Sequence, residues 1–379
     1  MANIKLRNIT KTFGKIKALD QVNLEIKDKE FFVLFGPAGA GKTTILKTIA
    51  GIEFPDDGHV IFNDDIVNLV EPAKRNVSMV FENYALYPHL NVFDNIASPM
   101  RSPLYKKDEE YINKQIVKVT STMKIDHLLE RLPSQLSNGQ RQRVALGRSL
   151  VRDPNVFLMD EPLAHLDAKL RHHMRTELKA MQTQLDTTTI YVTHDYMEAL
   201  SLGDRIAIIN EGKIEQIGTG DEVYYTPKNL FVAKLVGEPE INTFKGELAE
   251  VNQKVKMKVL NQIHLFDLEL DVEQELKKHH SQHVIVGIRG LNVSYSFVKK
   301  DDTQIEGSVY SFEPIGNKTI LIVKIGDELI RTIAPNDLQV DIDQKIFIEF
   351  DFKNAMFFDM DTEELLVRHN QEEIIKEVL

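Results

Sequence analysis

The segment that decides the fold reads Phe31-Phe-Val-Leu-Phe-Gly36-Pro-Ala-Gly39-Ala-Gly41-Lys42-Thr43-Thr44. Its first five residues are all apolar, as in a strand that is buried on both faces of a parallel sheet. Three glycines then turn the chain into Thr44-Ile-Leu-Lys-Thr-Ile-Ala50, where apolar residues recur at helical spacing. The sequence therefore predicts a strand, a glycine loop and a helix in direct succession.

The predicted loop, Gly36 to Thr43, matches the phosphate-binding pattern G-x-x-x-x-G-K-[ST]. Glycines allow backbone N–H groups to converge on phosphate oxygens, and the start of the helix adds the positive end of its dipole. Lys42 can reach the β- and γ-phosphates, and the Thr43 hydroxyl can complete a Mg²⁺ shell. A plain glycine turn is the alternative, but the flanking strand and helix favour a nucleoside triphosphate site.

The composition is that of a soluble globular chain with more than one domain. The chain has 379 residues, of which 42% are hydrophobic and 27% charged, and it contains no cysteine. A disulfide framework and thiolate chemistry are therefore excluded. Apolar runs are too short for a membrane span, and the N-terminus lacks the apolar core of a signal peptide, so an intracellular protein is expected.

The net charge of −11 is unevenly distributed along the chain. Residues 1–237 carry 30 acidic and 30 basic residues, whereas residues 238–379 carry 27 acidic and 16 basic residues. This shift in composition predicts a domain boundary near Gly237-Glu-Pro239. An acidic C-terminal domain is a poor candidate for nucleic-acid binding, so no nucleic-acid partner is expected.

Two further predicted strands lead to polar residues at the predicted sheet edge. Asn155-Val-Phe-Leu-Met159 is followed by Asp160 and Glu161, and Thr188-Thr-Ile-Tyr-Val192 is followed by His194. Ligands of open α/β sheets bind at the carboxyl ends of the strands. One carboxylate there can hold Mg²⁺ and the other can activate a water. A solvated carboxylate pair and a structural histidine are the alternatives, but the shared edge favours function.

Other segments leave alternatives open at this stage. Val77-Ser-Met-Val-Phe81 predicts another buried strand, and the apolar loop 84–89 after it either contacts another chain or folds onto its own core. Phe13 lies in a predicted turn, where position favours a core anchor over a ring that stacks on a nucleobase. Leu136 to Gln140 lead into a predicted helix with Ser137 as its N-cap, which alone shows only a capped helix start.

Beyond residue 240 the pattern changes to short strands separated by turn residues, which predicts a small β-barrel or sandwich. The strands are Val284-Ile-Val-Gly-Ile288, Thr319-Ile-Leu-Ile-Val323, Leu329-Ile-Arg-Thr-Ile333 and Lys345-Ile-Phe-Ile-Glu-Phe350. This region shows no catalytic arrangement of residues.

The order of the motifs resembles that of the ATP-binding-cassette family, and the resemblance covers residues 3–237. The motifs are the phosphate loop, Leu136 to Gln140, Asp160-Glu-Pro162, Leu163 to Ala168, and His194. Further segments are similar to the cytoplasmic ATPase of carbohydrate importers, of the maltose and glycerol-phosphate type. They are Asn83 to His89, Gly220 to Pro227, Phe231-Val-Ala, Gly307-Ser-Val, Glu313 to Gly316 and Phe358 to Leu365.

The resemblance implies an α/β fold of two domains. Residues 1–237 are expected to form a P-loop NTPase cassette with a mixed, largely parallel sheet and a helical subdomain at about 88–152. Residues 238–379 are expected to form a small all-β domain of the oligosaccharide-binding (OB) type, regulatory or dimerising.

The resemblance also implies that the chain binds ATP and Mg²⁺ through particular residues. Phe13 would stack on adenine, and the phosphates would be cradled by Gly36, Pro37, Ala38, Gly39, Ala40, Gly41, Lys42, Thr43 and Thr44. The residues near the metal would be Thr43, Asp160 acting through water, and Glu82, which senses Mg²⁺ and γ-phosphate. Glu161 would act as general base, and His194 would fix the γ-phosphate.

A second group of residues would act across a dimer. The residues expected to close on ATP held by the other subunit are Ser137, Asn138, Gly139 and Gln140. Asp167 would link the two ATP sites.

Two positions depart from the family pattern. Glu82 stands where the family usually has glutamine, and Asn138 stands where it usually has glycine. If that glycine serves a positive φ, asparagine is the best non-glycine substitute. If it lets the γ-phosphate approach, a side chain would crowd the dimer interface. Both changes are expected to affect the rate of turnover more than the fold. The C-terminal region shows one further, minor difference from the family pattern, because Ile288-Arg-Gly290 is not followed by Pro-Glu.

The function implied by the resemblance is that of the ATPase subunit of a carbohydrate importer, peripheral at the cytoplasmic face of the cell membrane. The expected partners are a second ATPase subunit, in a homodimer or with a related cassette, a permease contacted at Tyr84–His89, and a solute-binding protein indirectly. One alternative is an importer of polyamine, iron or sulfate. Another is a soluble ATPase acting on ribosomes or nucleic acid, which one cassette with an acidic appendage disfavours.

Overall fold

The computed structural model describes residues 2–152, 154–164, 166–185, 187–251, 254–260, 264–268, 270–279, 282–300, 303–316 and 318–368. The chain divides into two compact units, Met1–Gly220 (unit 1) and Asp221–Leu379 (unit 2).

Unit 1 contains two sheets and a set of helices. Its strands are β1 (Ile4–Phe13), β2 (Ile16–Ile26), β3 (Phe31–Phe35), β4 (Asp57–Phe62), β5 (Asp65–Ile66), β6 (Val77–Val80), β7 (Val156–Asp160), β8 (Thr188–Thr193), β9 (Arg205–Asn210) and β10 (Lys213–Gly218). Its helices are α1 (Lys42–Ala50), α2 (Val92–Ala97), α3 (Glu109–Met123), α4 (Asn138–Leu150), α5 (Ala168–Leu185) and α6 (Tyr196–Leu202). Short 3₁₀ turns lie at Pro72–Lys74, Ser98–Arg101, Asp126–Leu128 and Pro133–Gln135.

The larger sheet of unit 1 has the order β10-β9-β3-β8-β7-β6, and its strands are parallel except for the β10–β9 pair. Phe35 pairs with Thr193 and Asp160 with Val192, so β3, β7 and β8 end at nearly the same level. All residues of these three strands are buried, including the threonines of β8 and Asp160 at the end of β7. The register therefore places the residues after these strands along one edge.

The smaller sheet of unit 1 is antiparallel, with the order β2-β1-β4-β5. Between β6 and β7 the chain is helical from α2 to α4, as expected for the predicted helical region.

The prediction of a fully buried strand at Val77–Phe81 is wrong. β6 ends at Val80 and is the edge strand of its sheet, so three of its four residues are only half-buried.

Helix α7 (Gly220–Tyr225) starts at the last residue of unit 1 and otherwise lies in unit 2, which also contains α8 (Leu230–Leu235) and, among its described residues, one later helix, α9 (Leu270–Lys278). Its strands are β11 (Asn242–Val251), β12 (Lys254–Val259), β13 (His264–Asp267), β14 (His283–Ile288), β15 (Val293–Ser296), β16 (Ile305–Ile315), β17 (Lys318–Ile325), β18 (Glu328–Pro335), β19 (Lys345–Phe350), β20 (Met356–Asp359) and β21 (Leu365–Arg368). Short 3₁₀ turns lie at Gly290–Asn292 and Phe352–Asn354.

The strands of unit 2 form two antiparallel sheets, β13-β12-β11-β14-β20-β21 and β15-β19-β16-β17-β18. Residues from both sheets share one hydrophobic core, for example Val286 and Phe357 from one and Leu321 and Ile348 from the other. The predicted small all-β region is thereby confirmed.

None of the helices in the described ranges is long and apolar enough to cross a membrane.

The predicted boundary at residue 237 lies within unit 2, because helix α8 belongs to a core of that unit. Leu230 and Ala233 of α8 pack with Ile241, Met356 and Phe358. The boundary at 237 rests on the change in charge, and it stays a prediction.

The buried Arg75 joins two segments of unit 1. Its side chain is 3% exposed and donates to the carbonyl oxygens of Thr48 and Ile49, at the C-terminal end of α1, at 2.9 and 2.8 Å. It also donates to the carbonyl oxygens of Val67 and Val70 at 2.6 and 2.9 Å. The Thr48 and Val67 carbonyls also accept from the N–H groups of Gly51 and Val70, at 3.2 and 3.0 Å, so removing Arg75 would take one of two donors from each. Leaving a buried carbonyl without a donor costs about 1–3 kcal/mol, and the Ile49 and Val70 carbonyls depend on Arg75 in this way among the described contacts.

We expect Arg75→Met to lower the free energy of unfolding of unit 1 by about 3 kcal/mol or more, because it keeps the apolar stem and removes all the donors. Urea unfolding followed by the helical circular-dichroism signal measures the change. Lys74→Met is the matched control, since Lys74 is largely exposed and pairs only with Glu71 at 3.3 Å in the described contacts. Equal effects of the two substitutions would contradict the role given to Arg75.

Candidate functional site

The phosphate loop between β3 and α1 is shaped by contacts that exclude side chains. A Cβ atom at Gly36 would lie 2.2 Å from the carbonyl oxygen of Ile209, and one at Gly41 would lie 2.6 Å from that of Ala18. Gly41 also has a φ of 105°, which is open mainly to glycine, and it is the N-cap of α1. Both glycines are therefore required by the packing of the loop against the surrounding strands.

Lys42 places a buried cation inside this loop. Its side chain is 4% exposed, and its ammonium group donates to the carbonyl oxygens of Gly36 and Pro37, both at 2.9 Å. The Nζ atom lies 3.7 Å from Oε1 of Glu161. Burial lowers the pKa of the Lys42 ammonium, and the charge of Glu161 opposes that change. The Lys42 ammonium group is thus held by two backbone carbonyl oxygens of the phosphate loop and by the Glu161 carboxylate.

Thr43 and Asp160 form a second pair at the start of α1. The Thr43 hydroxyl donates to Oδ1 of Asp160 at 2.9 Å, and Asp160 is buried at the end of β7. Burial raises the pKa of the Asp160 carboxyl; the Thr43 hydrogen bond opposes the rise, whereas the charges of Glu161 and Glu82 add to it. A cation at this point would relieve the repulsion among three carboxylates.

The donor set near Asp160 fits a small hard cation that also binds phosphate. No group of three or more His, Cys, Asp or Glu side chains that could hold a metal occurs among the described residues. Mg²⁺ is typically bound through one or two carboxylates together with substrate phosphates and water. A hydroxyl and a carboxylate beside a phosphate loop match that mode of binding.

Glu161 and His194 meet across the ends of β7 and β8. Oε2 of Glu161 lies 2.7 Å from Nδ1 of His194, and the backbone N–H of Glu161 donates to the carbonyl oxygen of Val192 at 3.1 Å. Glu161 has a φ of 43°, an uncommon value outside glycine that is enriched at functional sites. One carboxylate oxygen faces Lys42 and the other faces His194, so the prediction that these residues share one edge is confirmed.

Glu82 and Phe13 occupy other positions in unit 1. Glu82 is an exposed turn residue after β6, and its charge reaches Asp160. Phe13 ends β1 in the smaller sheet and is 45% exposed, with the Lys11 ammonium 5.3 Å from its ring centre. The prediction of a core anchor at Phe13 is therefore wrong, because the strand ends at a hairpin where the ring projects toward solvent. An exposed ring is compatible with stacking on a base.

The segment Ser137–Gln140 begins α4 with a reciprocal cap. The Ser137 hydroxyl accepts from the Gln140 N–H at 3.3 Å, and the Gln140 side chain accepts from the Ser137 N–H at 3.0 Å. Asn138 is the first helical residue and does not have a positive φ. Of the two alternatives left open for this position, the need for a positive φ therefore does not apply to Asn138. The Asn138 side chain is exposed at the start of the helix.

Gly139 and Asp167 meet at the same neighbour, Leu170. A Cβ atom at Gly139 would lie 2.5 Å from Cδ2 of Leu170, so the glycine allows the start of α4 to pack against α5. Asp167 accepts from the backbone N–H of Leu170 at 2.9 Å and thereby caps α5. The structure brings these two predicted residues together through packing and capping.

The loop 84–89 contains both buried and exposed residues: part of it folds onto its own core, and contact of the exposed part with another chain stays a prediction. Tyr84 is buried, whereas Tyr87 is 46% exposed. Arg148 of α4 donates to the carbonyl oxygens of Tyr84 and Ala85 at 2.9 and 2.8 Å, and its guanidinium lies 5.3 Å from the Tyr87 ring centre. The loop is therefore anchored on α4 and presents a partly apolar outer face.

Sequence reasoning missed one buried carboxylate close to this edge. Glu198, on α6, is 3% exposed and accepts hydrogen bonds from the hydroxyls of Tyr191 and Thr193. The sequence did contain one signal for Glu198: it lies three residues after Asp195, which is the N-cap of α6. That spacing is typical of a capping box, in which the glutamate returns to the cap residue. Here the side chain instead points toward β8.

A glycine loop that holds a buried lysine, next to carboxylates at the ends of neighbouring parallel strands, defines a P-loop nucleoside triphosphatase. A family model described as ABC transporter matches residues 19–164. The trehalose/maltose import ATP-binding protein MalK of Thermococcus litoralis is 39% identical over 376 residues, covering 96% of this chain and 99% of that protein. The chain belongs to the family of ABC transporter ATP-binding proteins and is an ATPase of that family.

Other comparisons agree with this assignment. The oligosaccharides import ATP-binding protein MsmX of Bacillus subtilis is 39% identical over 379 residues, again covering 96% of this chain and 99% of that protein. A solved dimeric ATP-binding cassette, in a post-hydrolysis state with ADP and phosphate bound, is 30% identical with a TM-score of 0.52. The match covers 57% of this chain and 98% of that structure.

Proposed function

We propose that this protein is the ATP-hydrolysing subunit of a membrane importer for a carbohydrate-type solute. It would act at the cytoplasmic face of the membrane as a head-to-tail dimer beneath permease subunits. The observation that carries the ATPase part is the Glu161 carboxylate, which lies between Lys42 of the phosphate loop and His194. A carboxylate in that position can accept a proton from a water directed at a bound γ-phosphate.

The residues of the chain would divide the work of hydrolysis. The loop amides and Lys42 would hold the β- and γ-phosphates, and Glu161 would take the proton of the attacking water. His194 would orient Glu161 and contact the γ-phosphate. Thr43, Asp160 through water, and Glu82 would hold Mg²⁺, which neutralises phosphate charge when bound.

Across the dimer, the start of α4 would contact the γ-phosphate of ATP bound by the other subunit. The exposed residues Ser137 and Asn138 fit that contact, and Asp167 would connect the two sites. Phe13 would stack on adenine. Closing of the dimer on two ATP molecules would be passed to the permease through the loop 84–89, and hydrolysis would reopen it.

The carbohydrate class rests on relatives that match unit 2 as well as unit 1. Relatives named for trehalose/maltose, sulfoquinovosyl glycerol and oligosaccharide import are each 39–40% identical over 96% of this chain. A solute reaches such a complex through its binding protein and permease, so the solute class is inferred from whole-chain similarity alone.

The function is tested by reconstituting the chain in vesicles with its permease and solute-binding protein. We expect ATP hydrolysis to be stimulated by one or more sugars in a panel that also includes polyamines, ferric ion and sulfate. Stimulation by a non-sugar solute alone would reject the carbohydrate class. Co-sedimentation of the chain with ribosomes in place of membranes would reject the importer.

We expect Glu161→Gln to bind ATP with parental affinity and to lose turnover by about 10²-fold or more, since a general base is needed for the chemical step and not for binding. The closed dimer should then accumulate with ATP. ATP titration, steady-state hydrolysis and size-exclusion chromatography measure these three effects, with Glu110→Gln on the exposed face of α3 as control. Parental turnover in Glu161→Gln would remove Glu161 from its role.

We expect Glu82→Gln to shift the Mg²⁺ requirement while hydrolysis is retained. An amide keeps an oxygen ligand but removes a negative charge that reaches Asp160. Turnover measured across a Mg²⁺ titration gives the shift. Superimposable titrations of the parent and the variant would show that Glu82 does not act on the metal.

We expect Asn138→Gly to change turnover by less than about threefold, because Asn138 already has ordinary helical geometry and its side chain is exposed. ATP-driven dimerisation is measured in the Glu161→Gln background, and turnover in the parent background. A gain of tenfold or more in both would mean that Asn138 crowds the composite site. A comparable loss would mean that its amide makes a contact required for closure.

A further inference from the structure

Glu198 is a buried carboxylate that the mechanism above does not use. Its Oε2 atom accepts hydrogen bonds from the Tyr191 hydroxyl at 2.8 Å and the Thr193 hydroxyl at 2.7 Å. Tyr191 and Thr193 are two residues apart on β8, so both side chains leave the same face of the strand. Burial raises the pKa of the Glu198 carboxyl, and the two hydroxyl donors oppose that rise. Glu198 thus fixes the direction of both hydroxyl protons.

The Thr193 hydroxyl extends this network into the segment that contains His194. Its oxygen accepts a hydrogen bond from the backbone N–H of Asp195 at 3.0 Å. A hydroxyl has one proton to donate and two lone pairs that accept. Because the proton goes to Glu198, the lone pairs remain available to Asp195. The residues on both sides of His194 are therefore tied to Glu198.

The His194 side chain depends on this backbone for its position. It is 56% exposed, so packing alone does not fix its ring, yet Nδ1 lies 2.7 Å from Oε2 of Glu161. A cavity of about 10 Å³, enough for roughly one water, lies among Glu161, His194 and Glu198. Glu198 therefore lines the same small cavity as Glu161 and His194.

We propose that Glu198 is a positioning residue for ATP hydrolysis. Acting through the Thr193 hydroxyl, it holds the 193–195 backbone so that the His194 ring meets Glu161. This inference rests on the proposed roles of Glu161 and His194 in hydrolysis. Loss of the link would affect the chemical step and leave ATP binding to the phosphate loop intact.

Substitutions at the two hydroxyl donors separate positioning from a general effect on stability. Thr193→Val removes the hydroxyl and nearly keeps the shape, whereas Thr193→Ser keeps the hydroxyl. Tyr191→Phe removes the other donor to the same Glu198 oxygen without touching the 193–195 segment. We expect Thr193→Val to lower kcat by about tenfold or more with KM for ATP changed by less than about twofold. Thr193→Ser should restore most of kcat, and Tyr191→Phe should keep it within about twofold.

The His194 ring signal, measured by NMR on the full chain without nucleotide, gives a second measurement that does not depend on catalysis. The signal is assigned by its absence in His194→Gln. We expect it to shift in Thr193→Val and to keep its parental position in Tyr191→Phe. If Thr193→Val does not fold, Glu198→Leu breaks the same link and should shift the same signal.

An unchanged His194 signal in Thr193→Val would overturn the proposal, as would an equal loss of kcat in Tyr191→Phe. Failure of the proposed catalytic mechanism would differ: Glu161→Gln would then retain turnover while the His194 signal still moved in Thr193→Val.

Discussion

The structure of the site depends on a buried ammonium group that must be compensated. Lys42 is nearly inaccessible to solvent, and an uncompensated charge in a protein interior costs several kcal/mol. Carbonyl oxygens of its own loop accept its protons, and Glu161 supplies a nearby negative charge. These partners are within reach only when the loop closes tightly against the neighbouring strands. This tight closure also requires glycine at positions 36 and 41, because a Cβ atom at Gly36 or Gly41 would collide with a backbone oxygen.

The parts of the site that sequence reasoning predicted are those determined by short segments. β3 and most of β7 are apolar, and β8 combines apolar residues with β-branched threonines; such segments are typical of strands buried on both faces. Because parallel strands end at a common edge, Asp160 and His194 could be expected there before any contact was known. The two-sheet core of unit 2 likewise followed from short strands separated by turns.

The parts that could not be predicted depend on residues distant in the chain. An edge strand such as β6 has the same apolar composition as a central strand, since only its place in the sheet leaves residues half-buried. The exposure of Phe13 depends on the end of a hairpin. Glu198 has the spacing of a capping residue, yet its side chain binds hydroxyls on β8. In each case the local sequence pattern predicts the strand or helix. The burial and the hydrogen-bond partners of the side chain depend on residues that are distant in the chain.

Arg75 was described above as a link that stabilises unit 1, and its position has an electrostatic consequence for the other end of α1. A helix of nine residues is about 13 Å long, so Arg75 places a positive charge behind the end that carries the partial negative charge of the helix dipole. The guanidinium offsets this partial negative charge. The negative end of the helix therefore weakens the attraction of anions to the N-terminal end less than it would without Arg75. A residue that never approaches the nucleotide thus makes the potential at the phosphate loop more positive.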